Sequence, residues 1–373
     1  MLVPIANRPL DYAWGSTTLL AELEGRVPTG RIEAEVWFGD HPANPAVTAE
    51  GARLDAWLAE HGEQSLPYLL KLLAAASTLS IQAHPSQAQA AAGFAREEAA
   101  GIPRDAPART YRDANHKPEL IVALSPRFRA LAGLRPIART RVLLSGLGAP
   151  GAELAARLDD PLDAIAWVLS DEAHEVVRAL IATARSATSP EFDAELALVA
   201  DLDDLRPGDP GIVVALLMNL VTLRAGEGLF VPAGVLHAYL EGLGVEIMAA
   251  SDNVLRGGLT PKHIDVAELV SVLDASDADV PILEPVADAP GVERYDVPVD
   301  DFSLRRVRGG DAGSVAVDGL TIALATRGRV TVRGGASGET VTLDPGQALL
   351  VTTDERVVHV DGDGELFLAS PGR

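Results

Sequence analysis

The chain has 373 residues, 47% of them hydrophobic and 23% charged, with no cysteine and a formal net charge of −22. This composition describes a globular chain with room for more than one core. It excludes disulfides, thiolate metal sites and thiol nucleophiles, so any bound metal must take nitrogen and oxygen ligands. The acidic balance argues against a nucleic-acid or anionic-membrane partner, and leaves an anionic substrate to be held by local cations.

Residues 1–16 lack a basic stretch followed by an apolar run, and no segment is apolar for long enough to span a bilayer, so a cytoplasmic protein is expected. Residues 1–50 read as short extended pieces and turns, including YAWGS from Tyr12 and EVWFGDHP from Glu35. Residues 54–61 form a short helical pattern ended near Gly62. Residues 79–85, LSIQAHP, alternate with a period of two, placing Ser80, Gln82 and His84 on one face and Leu79, Ile81 and Ala83 on the other. Such neighbours stand roughly 6.6 Å apart along a strand, close enough for Gln82 and His84 to lean onto one cation.

Ser86 opens an alanine-rich helix that runs to about residue 100. In the following NHKPEL, Lys117 and Glu119 share a strand face. Between residues 140 and 205, Leu154, Leu158, Ile165, Val168, Val177, Leu180 and Ile181 recur at helical intervals, which predicts an inserted helical block. Strands are expected to return over 211–223, 227–232 and 235–240, the last with His237 and Tyr239 on one face, and over 244–250, which carries Glu246. A polar loop over 251–262 contains Asp252, Arg256 and Lys262. A short helix over 265–273 precedes a linker at 274–290, rich in Asp, Ala and Pro.

The remainder, 291–373, reads as short strands and repeats part of what precedes it. Residues 221–231 line up with 341–351, and 246–251 with 365–370. The expected architecture is mainly β with a helical insertion: two cupin-like jelly-roll barrels plus an α-helical domain. The first, catalytic barrel takes residues 1–139 and 206–273, and the insertion 140–205. The second barrel, 291–373, has Val357 opposite His237 in the alignment and is expected to lack a site.

His84, His237, the carboxylate of Glu119 and the amide oxygen of Gln82 make an N/O shell for one divalent ion, zinc being favoured for such a mix. The basic residues add a clue, since only three of the 31 are lysine: Lys71, Lys117 and Lys262. All three fall in the segments singled out above.

YAWGS, EVWFGDHP, LSIQAHP, NHKPEL, GVLHAYL (234–240) and EIMAASDNVLRGGLTPKHIDV (246–266) together resemble the type I mannose-6-phosphate isomerase family, in order over residues 1 to about 270. The resemblance implies one zinc per chain at Gln82, His84, Glu119 and His237, and a catalytic arginine at Arg256. It also implies pocket-lining roles for Lys71, Ser80, Lys117 and Lys262, with Tyr239 beside them. One departure is the pair Ser86 and Gln87, where the family often carries an acidic or amide residue followed by lysine.

The implied reaction moves a proton between C1 and C2 of a sugar phosphate through an enediol, interconverting mannose 6-phosphate and fructose 6-phosphate. Lys117, Glu246 and Asp252 are the candidate proton carriers, with Tyr239 and His84 behind them. Two other readings stay open on sequence: an isomerase of another or unphosphorylated sugar, and a non-catalytic sugar-binding cupin. A monomer or homodimer is expected.

Overall fold

The computed structural model describes residues 1–275 and 282–372 and is mostly β-sheet with helices. Its organising element is the long strand His237–Ala249. The first half pairs with Ile81–Ala83 and Phe128–Leu134, the second with Tyr68–Ala75 and Glu119–Ala123, every pairing antiparallel. The change of partners occurs at Gly242, whose φ of +126° favours glycine and where an added Cβ would lie 2.7 Å from the Phe128 ring. One strand thus serves two walls of a single ten-stranded sheet, which also takes in Glu35–Phe38, Met218–Leu223, Gly228–Val231 and Leu255–Gly258.

A second, eight-stranded sheet contains Ser303–Arg308, Thr321–Arg327, Ala348–Val351 and Glu365–Ser370, and it also recruits Leu2–Ala6 and Val47–Thr48 from the start of the chain. The division expected from sequence placed all of residues 1–139 with the site-bearing strands. The pairing of Leu2 with Val351 and Ile5 with Ala348 puts the first strand in the other sheet instead. The two large sheets share one apolar cluster, in which Leu70, Leu72 and Ile247 pack with Ile322, Leu350 and Phe367. Inside it the buried Tyr68 hydroxyl donates to the carbonyls of Leu320 and Ala369 at 3.0 and 2.7 Å.

The helical block begins with Ile137–Ser145 and runs through Asp193–Leu205, as its periodicity predicts, and then continues into Gly211–Leu217. That last segment was expected to be a strand. All seven of its residues are buried, so the apolar run carries no periodicity by which helix and strand could be told apart. The block packs against the outer face of the short strand, where Ile81 and Ala83 join its core. Within the alternation read from LSIQAHP, Ile81 and Ala83 therefore lie against helices, whereas Leu79 packs on the cluster that contains Tyr239. Ser86 caps the helix Gln87–Ala99 through a capping box with Gln89, an arrangement worth about 1 kcal/mol.

The expected linker is partly sheet: Ile282–Leu283 pairs with the Gly228–Val231 strand and Val286–Ala289 with Val292–Tyr295. Residues 276–281 of that linker lie outside the described residues.

The first half of the internal repeat holds in three dimensions. Gly226 and Gly346 have φ of +90° and +86°, and their amides donate to Ala123 and Ala325 at 2.8 Å. Leu120 faces Phe230 and Ile247 as Ile322 faces Leu350 and Ala369. Ile247 therefore corresponds to Ala369, three residues from the partner that the sequence alignment gives it. In the same register the position of Glu119 is taken by Thr321.

Candidate metal centre and surrounding site

Antiparallel pairing sets His237 opposite Gln82, and Gln82 opposite Arg256 on its other side. Directly paired residues project to the same face, so this three-strand row aims an imidazole, a carboxamide and a guanidinium into one space. Glu119 enters from the strand Glu119–Ala123, and His84 follows the short strand Ile81–Ala83.

His84 Nε2 lies 3.2 Å from Glu119 Oε1, and His237 Nε2 lies 3.2 Å from Glu119 Oε2. The ligand atoms of all three fall within 4.8 Å of one another, and all three side chains are buried. Each imidazole bonds a backbone carbonyl through Nδ1, His84 to Asn253 at 2.7 Å and His237 to Val235 at 3.1 Å. A carbonyl only accepts, so Nδ1 carries the proton and Nε2 presents its lone pair inward. Both Nε2 atoms and Glu119 Oε2 have no hydrogen-bond partner. Buried orphaned acceptors of this kind are costly, and a shared cation satisfies all of them. The donor set of His84, Glu119 and His237 fits a divalent ion.

Charge reinforces this arrangement. Lys117 Nζ sits 2.8 Å from Glu119 Oε1. Burial opposes ionisation of Glu119, but the charge of Lys117, with the His84 and His237 rings in contact, overcomes it and holds the carboxyl well below its ordinary range. Burial, aided by Lys117, pushes His84 down to about 4, so its ring is neutral and free to ligate at neutral pH.

A second buried group lies alongside. Glu246 pairs in register with Lys71, and Lys71 with Trp37. The ammonium is 2.9 Å from Glu246 Oε2 and 3.9 Å from Glu35 Oε1, while Trp37 Nε1 donates to Glu35 at 2.7 Å. Burial works against the Lys71 charge, yet Glu246, Glu35 and Glu119 together hold it above its ordinary value. Burial raises Glu246, partly offset by Lys71. The Tyr239 hydroxyl, buried and without a hydrogen-bond partner, is raised by burial and then by the charges of Glu246 and Glu119.

The other sequence candidates lie nearer the surface. Asp252, with 46% of its side chain exposed, meets His41 Nε2 at 3.3 Å, and that contact holds its carboxyl low. Ser80 is half-buried at the start of the short strand, Arg256 is half-buried, and Lys262 is exposed. Trp37 and His41, expected in the core and at a turn or the surface, lie beside Lys71 and Asp252, and Glu35 and Asn253 join the site without a motif of their own. Glu35 and Trp37, two residues apart in EVWFG, share a strand face. Nothing in the order of residues marks Asn253 as the acceptor for His84.

Two imidazoles and a carboxylate converging inside a β scaffold, with a lysine bonded to the carboxylate, define a protein built around a buried N/O metal site. Residues 2–137 match the type I phosphomannose isomerase catalytic domain. The chain is 34% identical to the mannose-6-phosphate isomerase of Escherichia coli K12 over 97% of both chains, and 30% identical to the Homo sapiens enzyme over 95% of this chain and 94% of that one. A crystal structure of mannose 6-phosphate isomerase from Salmonella typhimurium, bound to substrate and zinc, superimposes with a TM-score of 0.90 at 31% identity over the full length of both chains. The chain belongs to the type I mannose-6-phosphate isomerase family.

Proposed function

We propose that the chain is a zinc-dependent aldose–ketose isomerase that interconverts mannose 6-phosphate and fructose 6-phosphate through an enediol. The observation that carries this reading is the inward-facing trio His84, Glu119 and His237 with its unpartnered ligand atoms, in a chain related over its whole length to enzymes of that name. Two cupin-like jelly-roll barrels, the second without a site, are the architecture proposed around it. Thr321 in the place of Glu119 supports that assignment.

Gln82, His84, Glu119 and His237 hold the zinc, which when bound supplies Lewis acidity to the sugar oxygens. Lys117 neutralises Glu119 and presents its remaining donors to the sugar. Arg256, beside Gln82 in the row, places a guanidinium fork where negative charge develops on O1 and O2. Lys71, Ser80, Tyr239 and Lys262 line the sugar-phosphate space.

The C1–C2 proton belongs to one of Lys117, Glu246 and Asp252. The side chains of the first two are 9% and 3% exposed, and that of Asp252 is 46% exposed. Deuterium at C2 of the substrate separates them: partial retention at C1 of the product selects the buried pair, and complete wash-out selects Asp252.

The direct test is turnover of mannose 6-phosphate against free mannose by the zinc-loaded chain, with fructose 6-phosphate measured as product. Conversion of the phosphorylated sugar is expected, and a preference for free mannose overturns the substrate assignment. Arg256→Ala should retain zinc and lose about 100-fold or more in kcat. An arginine variant with the wild-type rate removes that residue from the mechanism.

A further inference from the structure

Arg112 has no role in the scheme above, yet the fold fixes its place with care. Its backbone amide donates to Asn253 Oδ1 at 2.7 Å, and the same carboxamide donates to the carbonyls of Asp113 and Asn115 at 2.9 and 2.8 Å. Asn253 is fully buried, and its own carbonyl accepts from His84 Nδ1. A single residue thus ties the start of the 112–117 loop to a metal ligand. On the outer side Gln87, which stands where sequence comparison marked a missing cation, donates to the Ala114 carbonyl at 2.8 Å and accepts from the His116 amide at 3.2 Å. The loop is pinned from both flanks while the Arg112 side chain stays exposed.

Most arginines of this acidic chain have a carboxylate at ion-pair distance. Among the described residues Arg112, Arg256 and Lys262 are in the minority without one, as are Arg8, Arg31 and Arg157, and these three act on one another as like charges. Burial lowers Arg256, and Arg112 lowers it further. Lys262 is lowered by burial, then by Arg256 and Arg112. The carboxylate within longer reach of Arg112, that of Asp252, is engaged by His41. Arg256 faces the same space as Gln82 and His237. Three like charges without a carboxylate partner, one facing the metal-site space and one tied to it through Asn253, in a chain of net charge −22, form a place where an anion relieves repulsion. A phosphate dianion, with three terminal oxygens, can engage the Arg112 fork and the Lys262 ammonium together, leaving Arg256 to the reacting end of the sugar.

We propose that Arg112 is a phosphate ligand: with Lys262, and beside Arg256, it forms a cationic cradle next to the metal site and sets the preference for phosphorylated over free sugar. The inference rests on the sugar-phosphate reading above and adds to it the residue that recognises the phosphate.

The test compares the zinc-loaded full chain with Arg112→Ala and Arg112→Lys. Arg112→Ala should raise KM for mannose 6-phosphate about tenfold or more, the loss of one charge-assisted contact, with kcat within about twofold. The inhibition constant of inorganic phosphate should rise by the same factor, and Arg112→Lys should recover part of both. Zinc content and melting temperature serve as folding controls and should match wild type, because the side chain is exposed. Unchanged KM and unchanged phosphate inhibition in Arg112→Ala overturn the proposal, as does a fall in kcat alone. Calorimetric titration with inorganic phosphate keeps the two readings separable. If wild type fails to turn over mannose 6-phosphate, the assigned reaction falls, while weaker phosphate binding by Arg112→Ala still supports the cradle and equal binding rejects it.

Discussion

Replacing Lys71 with methionine removes the ammonium from between two buried carboxylates and leaves the volume nearly filled. Glu35 keeps the Trp37 indole as a donor, but Glu246 loses the partner 2.9 Å away. A carboxylate so stranded, 3% exposed, takes up a proton instead of remaining charged. The ordinary value of 4.5 for Glu246 then bounds the cost. Holding it neutral at pH 7 spans two and a half pH units at about 1.36 kcal/mol each, a ceiling of about 3.4 kcal/mol.

The sign follows from proton linkage. In the variant the folded-state value of Glu246 lies above the unfolded one, so the native state binds the extra proton. The variant matches wild type near pH 4.5 and falls behind it as pH rises. Urea unfolding of both proteins at constant zinc, from pH 5 to 8, reads this directly as a widening gap in midpoint. Adding Glu246→Gln should close most of the gap at pH 7, because removing both charges costs far less than removing one. A gap that is constant with pH, or a double variant no better than the single, would show that the Lys71–Glu246 pair is not the electrostatic unit described.

Glu119→Ala should weaken zinc binding at least about 100-fold, by the loss of a ligand, and should abolish the rise in melting temperature on adding zinc. Undiminished zinc affinity by calorimetry excludes Glu119 as a ligand. In metal-free protein, the neutral His84 contributes stability that is complete above pH 6.5 and is lost as pH falls toward 4. Urea midpoints of the apo protein should decline across that window, and His84→Gln should decline less.

The residues that converge, His84, Glu119 and His237, were legible because strand alternation is local. Once residues 79–85 read with a period of two, Gln82 and His84 had to share a face, and the same rule joined Lys117 to Glu119 and His237 to Tyr239. Features set by distant pairing were not legible. Glu35 becomes part of the site only because Glu35–Phe38 lies beside the strand carrying Lys71, and Asn253 only because its carbonyl meets His84. Gly211–Leu217 was misread as strand because burial on every side erases the pattern on which a helical period depends. The repeat over residues 246–251 slipped by three because short apolar segments match at several offsets, and only the ladder with Thr321–Arg327 fixes the register.

The seating of Leu2–Ala6 between Val47–Thr48 and Ala348–Val351 has a consequence for biosynthesis. Leu2–Ala6 must wait until Ala348–Val351, far later in the chain, has been synthesised before that ladder can close. The Met1 amino group itself bonds Thr352 and Asp354. An affinity tag fused ahead of Met1 would therefore disturb this closure, and tags are better carried at a surface loop.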